Sequence, residues 1–165
     1  MGILQDASRL YCGPMSRVLD WADRHWALLN RTISVHTKVY RATGGRVGSR
    51  FPGHSARILL LDHRGAKSGI DRTSPLLYVT DGDDVVIVAS KGGYPKNPAW
   101  FFNLTANPDT TIQIGSERRD VRARVADDEE RERLWPIAVA GYSDYDDYQQ
   151  RSRGRKIPVV ILEPR

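Results

Sequence analysis

Between two short apolar runs, Ile58-Leu59-Leu60-Leu61 and Leu76-Leu77-Tyr78-Val79, the chain carries Arg64, Lys67 and Arg72, the hydroxyls of Ser68, Thr73 and Ser74, and glycines at 65 and 69. Lys and Arg supply positive charge, hydroxyls supply hydrogen-bonding groups, and glycine lets backbone N–H groups approach a ligand closely. That combination suits an anion, with phosphate the first choice. A purely structural hairpin would close on two residues such as Asn-Gly. A solvated basic loop remains the plain alternative. A second stretch of the same chemistry, Ser90-Lys91-Gly92-Gly93, follows the apolar run at 85–89.

The elements that must hold these groups follow from periodicity. Ile58–Leu61 and Leu76–Val79 read as the two strands of a hairpin, and Val85–Ala89 follows the turn Asp81-Gly82-Asp83 as a third. Asn97-Pro98 opens a short helix with Asn97 as its cap, carrying Trp100, Phe101 and Phe102 and stopping near Asn107-Pro108. Trp100 and Leu104 share a core-facing side, which leaves Phe101 or Phe102 to line a pocket. Thr110–Gly115 and Arg118–Ala126 alternate as strands. The arginines at 118, 119, 122 and 124 form a basic stripe that reads first as a solvated sheet face. Acids at 127–130 favour a helix start there through the dipole. Tyr142, Tyr145 and Tyr148 follow at three-residue spacing, which by itself is ordinary helix packing. The last apolar run, Ile157–Leu162, is a strand, and Pro158 argues for an edge or a bulge.

Toward the N-terminus, residues 1–14 have no clear period. Val18, Ala22, Trp26, Leu29 and Ile33 then mark an amphipathic helix from Ser16 to about Tyr40, with Arg17, Arg24, Arg31 and Lys38 between them. Such a stripe packs on a domain, or lies on a membrane surface or a neighbouring subunit. Residues 41–54, with glycines at 44, 45, 48 and 53, read as a mobile connection able to lie along a ligand.

Composition narrows the classes. A chain of 165 residues buries a full core without disulfides or metal. The net charge of +5 favours anionic partners without choosing among them. The single cysteine, Cys12, excludes an internal disulfide and fits a cytoplasmic setting. No apolar run approaches the roughly 18 residues of a membrane span, and the start lacks a signal-peptide pattern. His25, His36, His54 and His63 are scattered, so no metal site is expected. About six antiparallel strands in hairpin succession, with three or four helices, predict a mainly β, α+β barrel with helices outside. No GxGxxG follows a strand, and Gly65–Gly69 lacks the first glycine of a P-loop.

In order along residues 57–164, this chain resembles the deazaflavin-dependent nitroreductase family, whose members use reduced coenzyme F420. The resemblance rests on Gly65-Ala66-Lys67-Ser68-Gly69 with Arg72 and Pro75-Leu76, on Ala89-Ser90-Lys91-Gly92-Gly93, and on Lys96-Asn97-Pro98-Ala99-Trp100 with Asn103-Leu104 and Ala106-Asn107-Pro108. Tyr142/Tyr145/Tyr148 and Ile157-Pro158-Val159-Val160 complete it. It implies a split β-barrel of the FMN-binding type over residues 57–165, preceded by an arm, helix and loop over 1–56. It also implies a cofactor site of Lys67, Ser68, Gly69, Arg72, Thr73, Pro75, Ser90, Lys91, Gly92, Asn97 and Trp100, with the tail phosphate against the basic loop and the Ser-Lys-Gly-Gly turn. The implied reaction is hydride transfer from reduced F420 to a quinone, a nitroaromatic or nitroimidazole, or an unsaturated lactone. Tyr145 would supply a proton with Ser90 assisting, and Leu77, Tyr142, Tyr145 and Tyr148 would line the substrate site. Tyrosine suits the role because it keeps its proton at neutral pH. Two departures stand out. Ala66 stands where the family loop often has arginine, so one phosphate-side cation is lost or Arg64 replaces it. Leu77 stands where some members have an aromatic residue over the active site, which bears on substrate preference. An FMN-dependent oxidoreductase on the same barrel and a non-catalytic deazaflavin carrier or sensor are the rivals. A nucleic-acid module built on the arginine stripe has no recognition motif behind it.

Overall fold

The computed structural model describes residues 26–50 and 56–165, with side chains from residue 32 onward. The readings of residues 1–25 and 51–55 lie outside it. The chain divides between Val35 and His36, and the barrel belongs to the second unit.

Six antiparallel strands close into a barrel: β1 (Arg57–Arg64), β2 (Asp71–Asp81), β3 (Asp84–Val88), β4 (Asp109–Ile114), β5 (Glu117–Val125) and β6 (Val159–Pro164), in the spatial order β1-β2-β3-β6-β5-β4 with β4 returning to β1. The helices are α1 (Trp26–Thr43), α2 (Ala99–Ala106), α3 (Asp128–Gly141) and α4 (Asp144–Arg151). Alternating strands differ from continuously apolar ones in what covers their outer face. On β5 only Val121 and Ala123 turn inward, and the arginines between them face water. On β1 the inward Leu59 and Leu61 join the barrel core, while Ile58 and Leu60 pack outside on Tyr40 of α1. β3 from Val85 to Val88 and β6 from Val159 to Leu162 are likewise apolar on both faces because Val86, Val159 and Ile161 meet Leu134 of α3.

Tyr40 is fully buried, and its hydroxyl is satisfied at both ends, donating to the Ile58 carbonyl (3.0 Å) and accepting from Gly115 N–H (2.9 Å). α3 opens on a capping box. Asp127 accepts from Glu130 N–H at 2.8 Å, and the Glu130 carboxylate accepts from Asp127 N–H at 3.0 Å.

One stretch of the barrel wall is open. β1 pairs with β2 from Asp71 to Tyr78, but β3 pairs with β2 only from Tyr78 to Asp81. Among the described residues, the second backbone edge of residues 71–77 therefore has no strand partner, and it lies at the end of the barrel where β1 turns through the basic loop into β2.

Three expectations change. Where 41–54 was read as a mobile connection, the helix runs to Thr43 and residues 44–50 form a compact turn. Gly45 sits so close to Gly115 that a Cβ would come within 2.7 Å of its Cα, and His36 Nε2 donates to the Gly48 carbonyl at 2.9 Å. β6 is neither edge nor bulge but lies between β3 and β5. Pro158 precedes it, and its carbonyl accepts from Ala89 N–H, so its missing N–H costs no ladder bond. α2 is capped at Pro98 without a side-chain bond, because the Asn97 amide is committed elsewhere.

Candidate active site

The basic loop is held from behind. Gly65 N–H donates to the Ile70 carbonyl (2.9 Å) and Gly69 N–H to the Gly65 carbonyl (2.8 Å), closing the loop on itself. Ala66 N–H donates to Asn103 Oδ1 of α2 at 3.0 Å, and Asn107 Nδ2 reaches the Arg64 carbonyl at 3.4 Å. This leaves Lys67, Ser68, Gly69 and Arg72 exposed, with the Arg64 guanidinium lying over Gly69. Ala66 thus contributes a backbone contact, and Arg64 brings a cation into the loop.

Charge pairing separates this region from the arginine stripe of β5. On β5, Arg118 pairs with Asp62, Arg119 with Glu117, Arg122 with Asp109, and Arg124 with both Glu130 and Glu163. Among the described residues no carboxylate pairs with Arg64, Lys67, Arg72 or Lys91. Lys91 Nζ instead stands 5.2 Å from the centroid of the Tyr94 ring. The basic stripe is neutralised locally, whereas the cations of the loop and of the Ser90 turn have no such acids.

That turn is organised by a residue the sequence reading passed over. Half-buried Arg155 donates from Nε to the Tyr94 carbonyl (3.0 Å), from Nη1 to the Ala89 carbonyl (3.1 Å) and Asn97 Oδ1 (2.6 Å), and from Nη2 to the Ser90 carbonyl (2.8 Å). Burial pulls its pKa down from the ordinary arginine value. Gln149 holds the segment before β6, donating to the Arg155 carbonyl (2.8 Å) and accepting from Ile157 N–H (2.9 Å) and Arg131 (2.8 Å). The basic run Arg153-Gly154-Arg155-Lys156 before a strand was the available signal.

The turn and the tyrosine helix touch. Gly93 has φ +81°, and a Cβ there would meet the Tyr148 carbonyl oxygen at 2.8 Å. Tyr142 and Tyr145 stack edge-to-face at 5.2 Å, with Tyr148 6.1 and 6.4 Å from them. Leu77, Tyr142 and Tyr145 line one narrow cleft with Ala56, Val79 and Val88. The hydroxyls are not equivalent. Tyr142 donates to the Asp144 carboxylate (3.0 Å) and so accepts from Tyr148 (3.2 Å). The Tyr145 side chain is buried, and no described residue accepts from its hydroxyl. Burial first, then the neighbouring Tyr148, raises the Tyr145 pKa well above the ordinary tyrosine value. Burial also raises that of Tyr142.

Other expected site residues stand apart from this groove. The Thr73 hydroxyl donates to Asp62 Oδ1 and lies 3.0 Å from Arg41 Nη2, from which it accepts. Pro75 pairs with Leu60 on β2, its side chain half-buried. Trp100 is buried in the barrel core, and Asn97 Oδ1 faces Arg155. A cavity of about 220 Å³ is lined by Phe101, Leu104, Ala123, Arg124 and Val160, with Phe102 half exposed nearby on α2. Its one charged group, Arg124, is already paired twice and offers no free cation to an anion. Among the described residues no His/Cys/Asp/Glu group could hold a metal, and no helix is long and apolar enough to cross a membrane.

The chain thus joins a closed antiparallel barrel, a cationic loop at the start of β2 and a tyrosine cluster touching the Ser90–Gly93 turn. The sequence model of the F420H(2)-dependent quinone reductase family matches residues 32–164, and the chain belongs to that family. An F420H(2)-dependent quinone reductase of Mycobacterium tuberculosis is 43% identical over 88% of this chain and 97% of its own length. Among solved structures, an F420-H2 dependent reductase is 45% identical over 64% of this chain and 93% of its own, with a TM-score of 0.60. A domain-swapped dimer is 36% identical over 92% of this chain and 100% of its own, with a TM-score of 0.63. The protein is an F420H2-dependent reductase on the split-barrel fold.

Proposed function

We propose that the chain reduces a quinone, with the cofactor lying in the groove between the open edge of β2 and the Ser90–Gly93 turn. The observation that carries this reading is the set of cations left without carboxylates beside an unpaired strand edge. In this reading Lys67 and Arg72, with Arg64 over Gly69, would line one side of the cofactor and Ser90, Lys91 and Gly92 the other. Charge-assisted hydrogen bonds to a phosphate are about twice as strong as neutral ones, so these groups would hold the tail. When bound, reduced F420 supplies a hydride from its deazaflavin ring. Leu77 and the rings of Tyr142 and Tyr148 exclude water from the acceptor, and Tyr145 delivers a proton from its hydroxyl. Ser90 assists from the turn. Nitroaromatics and unsaturated lactones are electrophiles of the same kind and would enter the same cleft.

Titration with oxidised F420 and with FMN, followed by cofactor fluorescence, tests the assignment. Tighter binding of F420 supports it, and preference for FMN overturns it. Lys67→Ala is expected to weaken F420 binding by about 1.5–3 kcal/mol, the range for a hydrogen bond to a charged group. An unchanged affinity would remove the loop from the site. Turnover of F420H2 with a soluble naphthoquinone separates an enzyme from a carrier.

If the acceptor is dissolved in lipid, the amphipathic N-terminal stretch would supply a surface contact. Sedimentation with anionic vesicles should then be stronger for the full chain than for one beginning at Trp26, and equal sedimentation discards the idea. A cut at Gly53 would be a poor comparison, because it removes the fully buried Tyr40.

A further inference from the structure

We propose that His63 and Asn103 are positioning residues for the cofactor. The chain of hydrogen bonds Ala66–Asn103–His63–Ser74 holds the anion loop in its binding shape only while His63 carries a single proton. The inference rests on the reading of that loop as the phosphate site.

The proton positions follow from the bonding. Asn103 Oδ1 accepts from Ala66 N–H at 3.0 Å, so the amide nitrogen must face the other way. There it meets His63 Nδ1 at 2.9 Å and donates, which requires a lone pair on that ring nitrogen. The ring proton therefore sits on Nε2 and points to Ser74 Oγ at 3.0 Å. Nothing in this chain can reverse singly. A second proton on His63 would set N–H against N–H at Asn103. Turning the amide to relieve that contact would set N–H against N–H at Ala66. Either way the loop loses its tie to α2 at the residue before Lys67.

The surroundings bias the ring toward neutrality. His63 is 7% exposed inside the barrel mouth. The charged groups acting on it are Arg72, its cross-strand partner on β2, and Asp62 beside it on β1. α2 presents the neutral Asn103, and on β4 the Thr110 hydroxyl donates to the Asp62 carbonyl. Asp62 is already shared by Arg41, Thr73 and Arg118. Burial first and then Arg72 lower the His63 pKa from 6.5, with Asp62 opposing. Below 6.5 the unfolded chain binds the proton more readily than the folded one. The histidine's contribution to the fold is therefore complete above that pH and is lost as pH falls through the lower, folded value.

The test is F420 titration at pH 7.5 and 5.0 for the wild type, His63→Asn, Asn103→Leu and Lys67→Ala. Titration of the cofactor itself affects all four proteins alike, so the difference between them is the readout. His63→Asn keeps an acceptor toward Asn103 but does not titrate. The wild type should lose about tenfold more affinity on acidification than this variant, which corresponds to one unit of coupling. Asn103→Leu should bind weakly at both pH values. Equal pH dependence in wild type and His63→Asn, with Lys67→Ala still weakened, overturns the relay alone. An unweakened Lys67→Ala overturns the loop as the phosphate site. Should the variants fail to fold, the wild type suffices. Its imidazole nitrogen shifts should report the Nε2–H tautomer, and Ala66 amide protection should fall with His63 protonation. Protection indifferent to that titration overturns the proposal.

Discussion

Arg155→Ala is expected to lower stability by about 3 kcal/mol and F420 affinity by at least about tenfold. The first figure follows from removing one charged donor from four acceptors in a half-buried turn, where hydrogen bonds to charged groups contribute about 1.5–3 kcal/mol and stranded partners add cost. For a chain of this size, that is a melting shift of roughly 6–12 °C. The affinity loss follows because the carbonyls of Ala89, Ser90 and Tyr94 define the path of the turn that carries Lys91. Among the described residues no carboxylate pairs with Arg155, so its charge also adds to the field at the groove. Arg155→Lys separates the two effects, since lysine keeps the charge but lacks the planar fork. The lysine variant should bind F420 better than the alanine variant and melt nearly as low. Thermal unfolding and fluorescence titration read the two quantities independently. A full-stability alanine variant with unchanged affinity would show that the turn holds itself.

The hairpin loop was legible because its composition was wrong for a plain turn. Lys67, Ser68 and Gly69 sit where a two-residue connection would have sufficed. The barrel was legible because Val121 and Ala123 alternate with arginines, while runs such as Leu59–Leu61 mark strands covered on both faces. Arg155 and Asn103 were not legible in the same way. Each acts through backbone groups distant in sequence, Arg155 on residues 58–66 positions away and Asn103 on Ala66 at 37. Single-sequence periodicity carries no trace of such pairings. Asn97 shows the reverse failure. Asn-Pro before a helical run is a sound capping signal, but a guanidinium nearby competes for the same oxygen and takes it. The arginine stripe on β5 shows why charge in sequence is not charge in solution, because its neutralising acids come from β1, β4, β6, α3 and the stripe's own strand.

Tyr145→Phe should lower turnover with a naphthoquinone by about 100-fold, the lower end of what a positioned proton donor contributes. F420 affinity should stay within about twofold, because the ring remains in its place between Tyr142 and Tyr148. Stability should change little. No described residue accepts from the lost hydroxyl, so its removal strands no partner. Tyr142→Phe provides the contrast. Its proton already belongs to the Asp144 carboxylate, so its loss would cost packing and local order more than proton transfer. The raised pKa of Tyr145 also fixes a pH signature. The hydroxyl keeps its proton through the neutral and mildly alkaline range, so turnover should show no falling limb from this group below pH 10. Steady-state loss of F420H2 absorbance over pH 6–9 reads both effects, and a solvent isotope effect that shrinks in the phenylalanine variant would tie the loss to the proton step. A variant with wild-type turnover would move the donor role to another group, with Ser90 the next candidate along the groove.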